Sequence, residues 1–331
     1  MWFYYSLIVF CATFMQAKSG IKITMKSVSV ITVNYNHSLV TEQMLESISA
    51  HNTYNNIEVI VVDNGSKIDP VPGWTIRYPG VKFLRSETNL GFAGGNNLGL
   101  KIAKGDYVFF ANNDTEFTDT LVEKLVKILD EHPQVGAVSP KIRYYSQPDT
   151  LQYVGFTPMN YHTARNKCLG QFEKDKGQYD EITGKTGYAH GAAMMVRRAA
   201  IEKAGPMAEN YFLYYEEMDW CEKIMKAGFE IWVETKALIY HKESISVGTN
   251  SALKEYFMNR NRILFIRRNC DAKTRWSFLF YFLTVVTPRN VLNYIKDKQW
   301  SFIAILFRAI SWNLTHDVNS IELGFQIGDR K

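Results

Sequence analysis

The sequence is poor in cysteine, and its four cysteines are far apart. None belongs to a CxxC pair, and none stands at zinc-ligand spacing from a histidine. These absences argue against a disulfide framework and against a structural zinc site. Free thiols are typical of a reducing compartment, so we expect the body of the protein to lie in the cytosol. The four positions are Cys11, Cys168, Cys221 and Cys270.

A long apolar run near the N-terminus is also lacking. Trp2–Met15 has about fourteen residues, whereas a helical membrane span needs about 20. No basic residue precedes this run and Ala17–Ser19 is a poor cleavage site, so it is a weak signal peptide. Because a convincing strand follows directly after Met25, we expect the functional protein to begin near Met25. Residues 1–24 are then an extension or an accessory anchor, and a genuine signal anchor is the alternative.

Net charge is low, and its distribution is uneven. The formal charge is +5, yet residues 254–331 hold 13 Lys and Arg against 6 Asp and Glu. The preceding 253 residues hold 25 against 27. Bulky aliphatic and aromatic side chains lie between the basic residues, which fits an anionic membrane surface better than nucleic acid. We therefore expect no nucleic-acid partner; a solvated basic helix face is the alternative.

What is present is an alternation of apolar strands and helices. Continuous apolar runs are typical of strands that are buried on both faces. The alternation predicts an α/β fold with a mostly parallel sheet and helices on both faces, interrupted by an irregular excursion or β-hairpin over 144–185. The predicted strands are 28–33, 58–62, 81–84, 107–111, 135–142 and 187–196, and the predicted helices are 39–50, 96–103, 120–131, 199–204, 219–227, 256–268, 276–286 and 300–312.

Four polar clusters stand at the ends of the predicted strands. Ligands of parallel α/β sheets bind beyond the carboxyl ends of the strands, so the clusters predict one binding site at that edge. The candidate ligand-binding residues are Asn34, Asn36, Asp63, Asn64, Asn89, Gly91, Phe92, Gly94, Asn96, Asn112 and Asn113.

The cluster at 112–114 has the chemistry of a metal site. Asn112 and Asp114 share one side of an extended segment, and hard oxygen ligands suit Mg²⁺ or Mn²⁺. One carboxylate alone makes a weak metal site, so a further ligand is needed. The candidate is His241, which follows a strand-like run. Such a metal would neutralise charge on a departing diphosphate. The alternatives are a helix cap at Asp114 and a merely structural histidine.

Two other clusters suit a nucleotide. Asp63 ends a buried strand, where its carboxylate can accept a hydrogen bond from a nucleobase N–H; a plain Asx-turn is the alternative. Residues 89–97 hold three glycines before a helix start, where backbone N–H groups favour phosphate. Their spacing is not that of a dinucleotide fingerprint, and a structural loop is the alternative.

Three carboxylates fall within four residues after an aromatic run: Glu216, Glu217 and Asp219. This concentration of charge is unfavourable unless a proton, a cation or a substrate compensates it. We take all three as candidate catalytic residues, with one glutamate acting as the base towards an acceptor hydroxyl. Asp219 is also the predicted cap of the following helix. The alternative is an acidic helix N-terminus stabilised by the helix dipole.

In chain order the motifs are Val-Asn-Tyr-Asn at 33–36, Val-Asp-Asn-Gly-Ser at 62–66, Asn-x-Gly-Phe-Ala-Gly-Gly-Asn-Asn at 89–97, Asn-Asn-Asp at 112–114, Tyr-x-Glu-Glu-x-Asp at 214–219, and His241. This series resembles family 2 glycosyltransferases of the GT-A fold, in particular the bacterial rhamnosyltransferase-like branch. The resemblance covers about residues 28–268.

The resemblance implies an inverting transfer from a nucleotide-activated sugar. Asp63 would contact the base, Asp114 and His241 would bind the metal, and the glycine-rich segment would border the donor sugar. Asn112 stands where many relatives have Asp, which implies weaker metal binding. The donor implied is dTDP-rhamnose, with a UDP-hexose or a galactofuranose donor as alternatives.

The catalytic position departs from the family pattern. The family usually has Glu-Asp where this chain has Glu216-Glu217, so Glu217 takes the position of the catalytic Asp. Its longer side chain leaves the base assignment open between the two glutamates.

The C-terminal helices suggest where the acceptor is met. The apolar stretches 276–283 and 300–312 are flanked by basic residues and are too short to span a membrane, so we expect them to lie in its interface. This places the site beside a lipid-linked acceptor, whose phosphates Arg260 and Arg262 would attract. A helical lid or a homodimer interface is the alternative.

The sequence therefore predicts a sugar transferase that builds a surface polysaccharide such as O-antigen or capsule. It is expected to be peripheral, on the cytoplasmic face of the inner membrane. We divide it into residues 1–24, a catalytic domain over 25–253 and a membrane-associating segment over 254–331. A nucleotidyltransferase is one rival, although residues 89–97 lack the basic residue that a triphosphate needs. A non-catalytic glycan-binding or assembly protein is the other.

Overall fold

The computed structural model describes residues 25–242 and 251–327. The predicted N-terminal extension, residues 1–24, and its alternative as a signal anchor lie outside the described residues. In the part of the chain that is described, no helix has both the length and the apolar character needed to cross a membrane.

The described chain alternates strands and helices as far as β6, and then becomes irregular before its helical C-terminal part. The strands are β1 Val28–Asn34, β2 Ile57–Asn64, β3 Val81–Ser86, β4 Tyr107–Ala111, β5 Thr115–Phe117, β6 Val135–Tyr144, β7 Gln147–Tyr153, β8 Thr183–Lys185, β9 Ala193–Arg197 and β10 Glu230–His241. The helices are α1 Ser38–His51, α2 Val71–Arg77, α3 Gly91–Leu100, α4 Leu121–Glu131, α5 Arg198–Ala204, α6 Glu216–Lys226, α7 Ala252–Asn269, α8 Ala272–Tyr281, α9 Thr287–Lys296 and α10 Trp300–Thr315.

One sheet organises the fold. Its strand order is β3-β2-β1-β4-β9-β6-β10-β5, with β7 paired to β6 and β8 to β10. Strands β3, β2, β1 and β4 are mutually parallel, and β6 is parallel to β10. Between these two blocks β9 runs antiparallel to both neighbours. The predicted α/β fold is confirmed, and the sheet as a whole is mixed rather than uniformly parallel.

Helices cover both faces of this sheet because its central strands are apolar throughout. Successive side chains of a strand point to opposite faces. On one face Ile31 and Phe110 belong to a buried cluster with residues of α3, α5, α6 and α7. On the other face Val30 and Phe109 pack with residues of α1, α2 and α4. The carboxyl ends of the strands are left open between these two layers.

The C-terminal helices share the core of the sheet. Phe265 of α7 and Trp312 of α10 lie in the same buried cluster as Phe110 and Trp220. Helix α8 continues into α9 through one π-helical turn, Phe282–Val286, directly before the proline in the first turn of α9. A π turn of this kind is a local irregularity that redirects the helix.

Among the element boundaries that differ from the sequence prediction, three lie near the carboxyl edge of the sheet. Helix α3 begins at Gly91 rather than near Asn96, because its glycines lie within the helix and allow close packing on the sheet. A Cβ at Gly95 would lie 2.8 Å from a methyl group of Val33. Helix α6 begins at Glu216, so the predicted start at Asp219 is wrong. Strand β9 begins at Ala193, and the small residues before it form a turn.

Gly91 gives a direct test of this packing. Its φ is +75°, and an added Cβ would lie 2.2 Å from the carbonyl oxygen of Phe212. Gly91→Ala is therefore expected to lower the free energy of unfolding by roughly 1–3 kcal/mol. The matched control is Gly73→Ala in α2, where nothing lies within 4 Å of the added atom; it should stabilise the protein by about 0.4–1 kcal/mol. Urea denaturation measures both, and effects of the same sign would contradict the argument.

Candidate active site

A cleft of about 520 Å³ opens at the carboxyl edge of the sheet. The parallel strands β1, β2 and β4 end at Asn34, Asn64 and Ala111, and β10 ends at the same edge with His241. The edge predicted from the sequence is therefore a real concavity with polar walls. The predicted residues that line it are Asn64, Asn89, Gly91, Phe92, Asn96, Asn112, Asn113, Asp114 and His241.

The two predicted metal ligands meet in this cleft. Strand β5 pairs antiparallel with β10 and places Thr115 opposite His241. The N–H of Lys242 donates to the carbonyl of Asp114 at 2.8 Å, which holds the two segments together. As a result His241 Nε2 lies 3.1 Å from Asp114 Oδ1, and both side chains are about nine-tenths buried. Residues 127 positions apart would not be expected to meet unless the sheet joined their strands.

The hydrogen bonding of His241 suits a cation. Its Nδ1 lies 2.9 Å from Oε1 of Gln152, and an amide oxygen only accepts, so Nδ1 carries the hydrogen. In the neutral ring, Nε2 then presents a lone pair to the Asp114 carboxylate. Asp114 Oδ1 is buried and accepts no hydrogen bond from the described chain. Two facing electron-pair donors are stable when a proton or a metal ion lies between them.

His190 is a residue that the sequence analysis missed. It lines the cleft, and its ring centroid is 6.4 Å from that of His241. Burial, with a smaller contribution from His241, lowers the pKa of His190 to about 3, so the ring is neutral. Its Nδ1 accepts the N–H of Ala192 at 3.1 Å, which leaves Nε2 as a hydrogen-bond donor. A lone histidine in a turn beside small residues carries no signal of this role.

Asp63, the predicted base-reading residue, lies behind the cleft wall. It is fully buried and accepts hydrogen bonds from Asn34 at 2.8 Å, from Ser66 and from Arg85. Arg85 also donates to the Ser66 carbonyl at 2.8 Å. Asn64, the next residue, reaches the cleft itself. The nucleobase contact of Asp63 stays a prediction, and in this conformation its carboxylate is satisfied by protein groups.

Other predicted ligand-binding residues are structural in this conformation. Asn34 is fully buried and accepts a hydrogen bond from Thr41, which in turn accepts one from Asn113. Asn36 lies with Asn34 at a separate cleft beside α2. Gly94 is buried against Leu90. These residues hold the strand ends in place, and the sequence pattern alone does not separate them from the lining residues.

Phosphate binding at the start of α3 stays a prediction, and in this conformation its first N–H groups are engaged within the protein. The N–H of Gly91 donates to Asn89 Oδ1 at 2.9 Å, and the N–H of Phe92 donates to the carbonyl of Phe212 at 2.7 Å. Both groups therefore already have acceptors within the protein. The second of these bonds ties α3 to the loop that precedes the acidic cluster.

Glu217 lines a second cleft of about 590 Å³. Three residues, Tyr214, Ser251 and Lys254, line both clefts, so the two adjoin. Glu217 also packs beside the turn that precedes β9, since a Cβ at Gly191 would lie 3.4 Å from the Glu217 methylene carbon. Burial raises the pKa of Glu217 above the usual value of 4.5, while neighbouring backbone N–H groups oppose this effect. A carboxylate in this environment is a competent general base.

Glu216 is the more buried of the two glutamates. It is 3% exposed, lines neither cleft, and its Oε2 has no hydrogen-bond partner in the described chain. Burial and the adjacent charge of Glu217 raise the pKa of Glu216 well above 4.5. Since only Glu217 reaches a cleft, the geometry favours Glu217 over Glu216 as the residue that faces an acceptor.

The structure places Asp219 apart from both clefts. It lies in the first turn of α6, so it is not the cap that the sequence analysis predicted. Its Oδ1 accepts hydrogen bonds from Tyr211 at 3.1 Å, Arg268 at 3.1 Å and Asn269 at 2.8 Å. This buried carboxylate joins α6 to α7, and a direct catalytic contact is not compatible with its position.

The loop before Glu216 has an unusual backbone. Phe212, Tyr214 and Tyr215 have φ values of 65°, 70° and 73°, a region that residues with a Cβ seldom occupy. The loop is held by the fully buried amide of Asn261 on α7. Asn261 Nδ2 lies 2.9, 2.7 and 2.8 Å from the carbonyl oxygens of residues 211, 213 and 214.

Arg260 does not have the phosphate-binding role predicted for it. It is fully buried and donates to the Asn261 side chain at 2.8 Å and to the carbonyls of Asn210 and Leu323. Its guanidinium also lies 4.4 Å from the ring centroid of Trp312. The reason is geometric, because consecutive residues of α7 point to different sides and Arg260 faces the core. Of these two arginines, it is Arg262 that lines the cleft of Glu217.

Residues 29–205 match the family model described as glycosyl transferase family 2. The chain belongs to this family. The family 2 glycosyltransferase is 26% identical over 239 residues to N-acetylglucosaminyl-diphospho-decaprenol L-rhamnosyltransferase of Mycobacterium tuberculosis. This alignment covers 64% of this chain and 75% of the relative. It is 25% identical over 247 residues to the low-salt glycan biosynthesis hexosyltransferase Agl10 of Haloferax volcanii, covering 71% and 74%.

Solved structures confirm the fold of this glycosyltransferase. The mannosyltransferase PcManGT from Pyrobaculum calidifontis, solved with GDP-Man and Mn²⁺, aligns with a TM-score of 0.54 at 17% identity, over 93% of this chain and 94% of that one. Residues 1–349 of Staphylococcus aureus TarS in complex with UDP-GlcNAc align with a TM-score of 0.56 at 20% identity, over 86% and 81%. The GT-A fold predicted from the sequence is thereby confirmed.

Burial of Glu216 predicts a stability that depends on pH. Because the pKa of Glu216 is raised in the folded state, the contribution of this group to folding stability is complete below pH 4.5. That contribution is lost as the pH rises through the folded-state pKa. Glu216→Gln should therefore raise the melting temperature at pH 8, by about 2 °C or more, and the gain should vanish near pH 4.5. The exposed Glu202 is the control, and Glu202→Gln should have little effect at either pH. An unchanged or lower melting temperature for Glu216→Gln at pH 8 would contradict the argument.

Proposed function

We propose that this glycosyltransferase moves a sugar, with inversion, from a nucleotide diphosphate donor to a lipid-linked or growing surface polysaccharide. One observation carries the proposal: the Asp114–His241 pair and Glu217 line two adjoining clefts with shared walls. The donor then occupies the cleft of Asp114, and the acceptor hydroxyl approaches from the cleft of Glu217. The base and the departing group thus lie on different sides of the transferred sugar, as a single displacement requires.

Asp114 and His241 are the residues that would hold Mg²⁺ or Mn²⁺. The unpartnered Asp114 oxygen and the lone pair of His241 Nε2 are suitable ligand atoms. No third His, Cys, Asp or Glu of the described chain completes a cluster around them, so donor phosphate oxygens would supply further ligands. When bound, the metal neutralises charge that develops on the departing diphosphate. The neutral His190 is placed to donate a hydrogen bond in the same cleft.

The chemical step uses Glu217 as the base. The acceptor oxygen forms a bond to the anomeric carbon while the bond from that carbon to the diphosphate oxygen breaks. The proton of the acceptor hydroxyl passes to the Glu217 carboxylate. The raised pKa of Glu217 suits this transfer, since a buried carboxylate holds a proton more tightly than an exposed one.

The similarity to the mycobacterial rhamnosyltransferase supports dTDP-rhamnose as the donor and a diphospholipid-linked sugar as the acceptor. The product would be a surface polysaccharide such as O-antigen or capsule. Similarity to the amylovoran biosynthesis glycosyltransferase AmsB of Erwinia amylovora, at 26% identity over 224 residues, supports a polysaccharide product. A nucleotidyltransferase and a non-catalytic assembly protein explain the placement of Glu217 less well.

Exposed side chains on the C-terminal helices support attachment to the cytoplasmic face of the inner membrane. Trp276, Phe280 and Trp300 are each more than 60% exposed. Basic residues accompany them at Lys273, Arg275, Arg289, Lys296, Lys298 and Arg308. Amphipathic surfaces with aromatic and basic side chains bind anionic interfaces. We therefore propose the division into a catalytic part over 25–253 and a membrane-associating part over 254–331. The alternative is that the exposed face of the C-terminal helices forms a homodimer interface.

Glu217→Gln tests the proposed function. The amide keeps the size of the side chain but does not accept the hydroxyl proton, so kcat should fall on the order of 100- to 10,000-fold. The assay follows release of dTDP from dTDP-rhamnose with MnCl₂ and a geranyl-diphosphoryl N-acetylglucosamine acceptor. Binding of dTDP with Mn²⁺, measured by calorimetry, should stay within about twofold because the donor cleft is intact. Glu202→Gln is the control, and undiminished turnover by Glu217→Gln would remove Glu217 as the base.

Gln152→Ala tests the metal pair without touching a ligand. Loss of the amide oxygen frees the orientation of His241, so Mn²⁺ affinity should fall about 10- to 100-fold. Electron paramagnetic resonance of free Mn²⁺ measures this affinity in the presence of dTDP. Gln171 lines the same cleft, and within the described residues the Nδ1 hydrogen bond of His241 goes to Gln152, so Gln171→Ala is the matched control. Equal Mn²⁺ affinities for the two variants would argue against His241 as a ligand.

A further inference from the structure

The cleft of Glu217 is rich in cations that lack acidic partners. Arg165, Arg262 and Lys254 line it, and Arg289 stands next to Asn290, which also lines it. In the described residues, none of these four forms an ion pair with a carboxylate, although eighteen such pairs occur elsewhere. A cleft of this kind offers uncompensated positive charge to a ligand.

Two buried donors in the same cleft have no acceptor in the described chain. They are Nε of Arg262 and Nδ2 of Asn166. Arg262 is fixed in place, because it donates through its NH2 group to the carbonyl of Thr163 at 2.6 Å and lies 5.6 Å from the ring centroid of Phe282. Buried N–H groups are almost always paired, so two unpaired ones in one cleft indicate a ligand that accepts hydrogen bonds.

Like charges surround Arg262. Burial is the main cause that lowers the pKa of Arg262. The side chains of Tyr215 and Tyr281 raise this pKa, whereas repulsion from Arg165 and Arg289 lowers it further. The carboxylates on the cleft wall are Glu217 and Glu255, and Glu255 is already held by Asn259 and Tyr294. A multiply charged anion bound at the arginines would relieve this repulsion.

We propose that these arginines bind the phosphate groups of a lipid-linked acceptor, with Arg165, Arg262 and Arg289 around the diphosphate and the acceptor sugar towards Glu217. This assignment rests on the proposed function, because Glu217 must face the acceptor hydroxyl. Arg forks match phosphate oxygens in geometry and charge. The donor diphosphate lies in the other cleft, beside Asp114. The two clefts therefore recognise different phosphates.

The test uses the exposed arginines, whose loss leaves the core intact. Arg165→Gln/Arg289→Gln removes one charge that lines the cleft and one beside it, and Lys273→Gln/Arg308→Gln removes two exposed charges of the C-terminal helices away from the cleft. Binding of geranyl diphosphate is measured by calorimetry in EDTA, so that metal-dependent binding beside Asp114 does not contribute. Thermal melting shows that each variant is folded.

We expect at least a tenfold loss of geranyl diphosphate affinity for the cleft variant and less than a twofold change for the control. Equal affinities for wild type and the cleft variant would overturn the proposal. So would geraniol or inorganic pyrophosphate binding as tightly as geranyl diphosphate, since the site would then not recognise a lipid-linked phosphate.

Vesicles of phosphatidylglycerol separate an acceptor site from a headgroup contact. If the cleft variant lost vesicle binding and kept geranyl diphosphate binding, the arginines would be a membrane contact and the proposal would be wrong. The proposed function is tested separately, because the binding of dTDP with Mn²⁺ needs none of these arginines. If the cleft variant kept its affinity for geranyl diphosphate, while dTDP still bound with Mn²⁺ and turnover still required Glu217, only the proposed acceptor site would be wrong.

Discussion

Three backbone carbonyls of the loop before Glu216 converge on the amide of Asn261. That loop has three non-glycine residues with positive φ, a conformation that costs of order 1–3 kcal/mol at each residue unless its surroundings enforce it. Arg260 supports the amide through its oxygen and reaches Asn210 and Leu323 as well. The helix that provides both side chains therefore fixes the loop from which Glu216 and Glu217 follow, although it lies after the sheet in the chain.

Several other features depend on this arrangement. The position of Glu217 follows from the start of α6, and the start of α6 follows from the loop. Arg262 follows Asn261 directly, so the same turn of α7 that holds the loop before Glu216 also presents a cation to the cleft of Glu217. The C-terminal helices thus contribute both to the buried core and to the wall of this cleft.

The strands and the edge where the ligand site lies were predictable from the sequence, because apolar runs and the polar residues that end them are local signals. The meeting of Asp114 with His241 was predictable from the resemblance. The roles of Gln152, His190 and Arg165 were not, because each depends on which strand or turn packs beside it. Helix α3 shows the limit of local reasoning, since its glycines indicate a loop until the close approach to Val33 is seen. Asp219 shows it again, because a partner 49 positions away, such as Arg268, leaves no trace in nearby residues.

The hydrogen bond from the Phe92 N–H to the Phe212 carbonyl joins α3, at the cleft of Asp114, to the loop before Glu216. It connects backbone to backbone, and Gly91 beside it leaves no room for a side chain. The spacing between the cleft of Asp114 and the loop before Glu216 is therefore set by main-chain atoms. Substitution of side chains on either wall would leave this spacing unchanged, because no side chain takes part in the bond.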